Sequence, residues 1–72
     1  MKFHVMDHTG HSTESFKEGD IVSLAEASSR FAELKDRKFA AFRKDGEGQH
    51  TQLKVFDPEA QEVLFVPNLV GG

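Results

Sequence analysis

The chain contains no cysteine. That absence excludes a disulfide, a thiol nucleophile, a thioester carried on a side chain and a thiolate metal site, and it leaves the redox compartment unread. There is no basic run either. Nine Lys and Arg against twelve Asp and Glu give a net charge of -3, with both signs scattered along the chain. The electrostatic footprint of a nucleic-acid binder is therefore missing. No apolar run approaches the ~20 residues that cross a bilayer. The opening MKFHVMDH lacks the apolar stretch of a signal peptide. Neither nucleic acid nor membrane is expected as a partner, and the cytoplasm is the expected compartment. Asp20, Asp45 and Glu47 show no pairing of the kind acid–base catalysis needs, so the chain is not expected to be an enzyme. Gly46 and Gly48 are too few to cradle a phosphate and read as a hairpin turn.

What is present suits one small folded domain. Seventy-two residues, 38% hydrophobic and with seven phenylalanines, can build a core, though a core this small barely offsets the entropy of ordering the chain. In KFHVMD the larger apolar residues are spaced by two, which is a strand pattern, and Gly10 supplies the positive φ of a tight hairpin. The spacing predicts a hairpin over residues 2–17, with Phe16 the only large core candidate of its second strand. Ser23 and Glu26 have capping-box spacing. Leu24, Ala27, Phe31 and Leu34 then form one apolar stripe, so a helix is expected from about Ser23 to Asp36. KFAAFRK, HTQLKVF and EVLFVP read as three further strands, separated by DGEGQ and by DPEAQ, and ended by Pro67. The order strand, strand, helix, strand, strand, strand implies an α+β protein: a mixed sheet of four to five strands with one helix on one face. The domain is expected over residues 1–67, with 68–72 as a tail.

EVLFVP is apolar on both sides, as near the middle of a sheet. If Val63 and Phe65 face the helix, Leu64 and Val66 face away, and one of Phe39 and Phe42 joins them. An open apolar patch beside the tail reads as a partner-docking surface, and the competing reading is that a loop or a second copy covers it. His8 and His11 flank the Thr9–Gly10 turn, where two imidazoles can hold a metal only with further ligands that the sequence does not supply; they read as solvated turn residues. His4 and His50 read as lone surface groups on strands.

The alternating MKFHV, the TG turn, the single helix after KEGD and a last strand leading into Gly71-Gly72 resemble the ubiquitin-like β-grasp fold over essentially the whole chain. EVLFVPNLVGG is similar to the end of bacterial sulfur carriers such as the small subunit of molybdopterin synthase. Taken together, DHTG, AEASSRF, FDPEAQEVLFVP and the closing GG most resemble the prokaryotic ubiquitin-like proteins. That resemblance implies a modifier conjugated to target proteins through Gly72. Its implied partners are an E1-like activating enzyme, an E2-like enzyme and a JAB-type peptidase. Leu69, Val70 and Gly71 are the residues that an activating enzyme would grip. A departure from the family is the polar second strand, HSTESF.

The chemistry of the tail supports the same expectation. A terminal carboxylate has a pKa of roughly 3.3–3.7 and is ionised at neutral pH. It can attack ATP and form an acyl adenylate, which a thiol, hydroxyl or amine then captures. This chain supplies only the carboxylate; the partner supplies Mg²⁺, phosphate stabilisation and the nucleophile. Glycine suits such a tail because no side chain blocks a narrow channel. Two alternatives remain open: a sulfur carrier with a C-terminal thiocarboxylate, and a structural β-grasp adaptor, such as a phage tail component, in which the glycines have no chemistry. The six lysines are candidate chain-forming sites that sequence does not rank.

Overall fold

The structure, a computed structural model, describes residues 1–68. Leu69, Val70, Gly71 and Gly72 lie outside the described residues. The elements follow the chain as β1 (Lys2–Asp7), β2 (Gly10–Ser15), α1 (Ile21–Asp36), β3 (Phe39–Gly46), β4 (Gln49–Leu53) and β5 (Glu62–Pro67). The strands form one mixed five-stranded sheet in the spatial order β2-β1-β5-β3-β4, covered on one face by α1. β1 and β5 are parallel, and every other neighbouring pair is antiparallel.

The first hairpin turns through His8 and Thr9. Asp7 fixes the turn: its Oδ1 accepts from the Thr9 amide at 2.8 Å and from the Thr9 hydroxyl at 2.6 Å. Gly10 leaves the turn with φ 141°, a conformation that costs a glycine little. β2 ends at Ser15, one residue before Phe16. Phe16 nevertheless packs on the core, with its ring centroid 4.9 Å from that of Phe3.

The helix begins earlier than its capping-box spacing suggests. Asp20, not Ser23, is the N-cap. Its carboxylate accepts from the Val22 amide and the Ser23 hydroxyl, both at 3.1 Å. An aspartate in an extended conformation satisfies the free amides of a first turn as well as a serine does. The stripe is also shorter than expected. Ala27, Phe31 and Leu34 are buried, whereas Leu24 is 41% exposed. The helix ends at Arg37, whose amide reaches the carbonyls of Glu33 and Leu34.

β4 stops at Leu53, so the expected strand over HTQLKVF is cut short. Val55 is left exposed, and Phe56 turns back under the helix, its ring 5.8 Å from that of Phe31. The segment after it is tied down by Asp57, which accepts from the Glu59 amide and from Arg43.

The core lies between helix and sheet. Phe3, Leu34, Val63 and Phe65 are its largest fully buried side chains. Phe65 touches Phe3 and Phe31 edge-on, with centroid separations of 4.9 and 5.6 Å. Such pairs add to the burial term. Phe65→Ala is expected to destabilise the domain by about 3–5 kcal/mol. Leu64→Ser, on the other face of the same strand, is expected to cost about 1 kcal/mol. Urea unfolding of both variants checks this; a Phe65→Ala protein as stable as the parent contradicts the core described here.

Candidate functional site

The face of the sheet away from α1 is built by strand alternation. β5 contributes Glu62, Leu64 and Val66, while Val63 and Phe65 are buried against the helix. β3 contributes Ala40 and Phe42, because Ala40 pairs with Val66 and Phe42 with Leu64. β1 adds His4, which pairs with Leu64 on the other side. Side chains at paired positions share a face, so His4, Leu64 and Phe42 form one row across three strands. Of the two phenylalanines left undecided by sequence, Phe42 is therefore on the open face, and Phe39 packs against the core. Ala40 is buried although it belongs to the open face and not to the main core cluster. Leu64, Val66 and Phe42 are half-buried, so the patch is a shallow apolar surface rather than a bare one.

A polar group borders this row. The His4 ring is held on both sides: Nδ1 lies 3.1 Å from the Thr13 hydroxyl and Nε2 lies 3.2 Å from a Glu62 carboxylate oxygen. An ionised carboxylate only accepts, so Nε2–H donates to Glu62, and in the neutral ring Nδ1 accepts from Thr13. Lys44 stands 3.5 Å from the other oxygen of Glu62. A cleft of about 340 Å³ opens here between His4, Lys44, His50, Glu62 and Leu64. His4 is thus a bridging group between β2 and β5, not the lone surface group that its place on a strand suggests. The His11 ring lies beside that of His4, with centroids 5.8 Å apart. Among the described residues no group of three His, Cys, Asp or Glu is placed to hold a metal ion.

The glycine pair and its preceding Leu69 and Val70 lie outside the described residues, but the strand that leads to them does not. β5 lies in the middle of the sheet, paired on both sides, and the Asn68 amide beyond it donates to the Lys38 carbonyl at 2.9 Å. The tail is thus reached from an ordered central strand. No helix among the described residues is long and apolar enough to cross a membrane.

Sequence reasoning placed Leu64, Val66 and one of Phe39 and Phe42 on this face, but missed their neighbours His4 and Glu62. The polar residue between Phe3 and Val5, and the acid heading an otherwise apolar β5, were the available signals. Neither says that the two meet. Comparison of the chain with protein-family models, with curated proteins and with solved structures gave no match.

Glu62 is held below its usual carboxylate range, first by the hydrogen bond from His4 and next by the charge of Lys44. A carboxylate depressed in the folded state stabilises the fold above its unfolded pKa, and that contribution is lost as pH falls through the folded value. Glu62→Gln removes this contribution. The melting temperature of the variant is therefore expected to drop less than that of the parent between neutral pH and the acid side of the carboxylate range. Parallel thermal melts check it; identical pH slopes would show that the His4–Glu62 contact contributes nothing.

Proposed function

We propose that the chain is a ubiquitin-like modifier of β-grasp fold, activated at the carboxylate of Gly72 and conjugated to target proteins. One observation carries the reading. A single central strand, β5, buries Val63 and Phe65, offers Leu64 and Val66 to the open face, and runs directly toward the pair Gly71-Gly72. Residues that would dock on a partner and the carboxylate that would react thereby belong to one short stretch of the sequence. The five-stranded mixed sheet with one covering helix is compatible with a β-grasp domain.

In this reading the protein is a substrate and not an enzyme. An E1-like enzyme binds the open face through Leu64 and Val66 and draws Leu69 to Gly72 into its active site. The Gly72 carboxylate attacks the α-phosphate of Mg²⁺-bound ATP and expels pyrophosphate. A thiolate of the enzyme then attacks the acyl carbon of the adenylate and releases AMP. The acyl group passes to an E2-like enzyme and finally to an amine of a target, which loses a proton as the amide forms. A JAB-type peptidase would reverse the last bond by hydrolysis. Binding energy gained on the open face positions the tail, an advantage in orientation rather than in reactivity.

The test uses protein ending at Gly72 with its cognate E1-like enzyme, ATP and Mg²⁺. Exchange of labelled pyrophosphate into ATP is expected, and deleting Gly71-Gly72 is expected to abolish it without changing the unfolding transition. Leu64→Ser is expected to raise the KM for activation by about tenfold, the effect of losing one good apolar contact. Undiminished exchange by the truncated chain overturns the reading. A thiocarboxylate at Gly72 in protein from the native host, with no conjugates, favours a sulfur carrier instead.

A further inference from the structure

Ile21 and Val22 open α1 with 84% and 66% of their surfaces exposed, and Leu24 stands beside them, 41% exposed. Asp20 caps the helix at this point, so these apolar side chains are presented from fixed backbone. Next to them is a cleft of about 380 Å³. Its floor is apolar, with Phe16 half-buried and Ala27 and Ala60 buried, and Ile21 stands on its lip. One wall is the segment 17–21 and the other the segment 58–61. The exposed charges on these walls that make no ion pair among the described residues are Lys17 on the first and Glu59 on the second. The other charged groups at the cleft are engaged: Glu18 lies 3.7 Å from the Met1 amine, and Asp20 caps the helix.

We infer that this surface is the interface of a symmetric dimer, in which Ile21 of each copy enters the cleft of the other and Lys17 of each meets Glu59 of the other. A two-fold contact uses one patch twice, so that patch must hold a protrusion and its recess, and both members of every charge pair. This surface holds all of them. A groove for a foreign chain requires the recess alone, whereas a second copy of this chain also brings the apolar Ile21 and the opposite charge for each of Lys17 and Glu59. An apolar centre with charges at its edge is the ordinary plan of a protein interface. The inference does not rest on the modifier reading, since it uses the helix side of the domain and no residue of the open face or tail.

Sedimentation velocity over a range of concentrations tests it. The intact chain is expected to dimerise reversibly. Ile21→Glu is expected to weaken the dimer by more than about tenfold, as for a central apolar contact, while its circular dichroism spectrum and melt stay those of a folded domain. Val55→Glu, at an exposed apolar residue away from the cleft, is expected to leave the dimer unchanged. Lys17→Glu and Glu59→Lys are each expected to dimerise poorly alone, because like charges then face each other. Mixed in equal amounts they are expected to pair, since one copy carries two acids and the other two lysines. A single 8.0 kDa species at every concentration overturns the proposal. So does a dimer indifferent to Ile21→Glu, or a mixture of the two charge variants that associates no better than either alone.

Discussion

At the centre of the sheet the rings of Phe3 and Phe65 meet edge-on, 4.9 Å apart, and Phe31 closes on Phe65 from the helix. The first strand, the last strand and the helix are joined at this point. β1 and β5 can lie side by side only after nearly the whole chain has been closed into a loop, which costs conformational entropy before it returns any contact. Burial of large apolar side chains at that junction offsets the cost. With no cysteine to shorten the loop in the unfolded state, the apolar contacts must do this unaided. The outer strands then follow: β2 by its tight turn from β1, β3 by pairing with the other edge of β5, and β4 from β3.

Charged residues frame this core without entering it, and among the described residues no polar side chain is buried. Arg30 on the helix grips Glu14 on β2 with paired contacts at 2.8 to 3.1 Å, and it also bonds Glu33. Arg43 on β3 lies between Asp45 and Asp57 and so anchors the connection before β5. Pairs this exposed add little stability singly, because water screens them. They do favour one arrangement of helix and loop over the sheet. Asp7, Asp45, Asp57 and Glu62 all have depressed pKa values from hydrogen bonds to neighbours. All four act in the same direction, so the fold loses stability as acid protonates them.

The two surfaces with prospects for binding lie in different layers. The open face of the sheet carries Leu64, Val66 and Phe42 next to the strand that leads to the tail. The cleft at the start of α1 lies on the helix side. The cleft is lined by none of Phe42, Leu64 and Val66, so the two surfaces are made of different residues.

Strand and helix periodicity made part of this visible in the amino-acid sequence. The alternation in EVLFVP separates Val63 and Phe65 from Leu64 and Val66, and KFAAFRK separates Phe39 and Ala41 from Ala40 and Phe42. Ala27, Phe31 and Leu34 at helical spacing gave the buried stripe. The glycine pair is visible as residue types alone. Other features needed the folded chain: the exposure of Leu24, the stop of β4 before Val55, and the choice of Asp20 over Ser23 as cap. So did the meeting of His4 with Glu62 and of Phe42 with Leu64, pairs 58 and 22 positions apart in the sequence. Alternation is a property of neighbouring residues and states which side of a strand a side chain takes. It cannot state which strand lies alongside, because that choice is made by the burial gained across the whole sheet against the entropy of closing each loop.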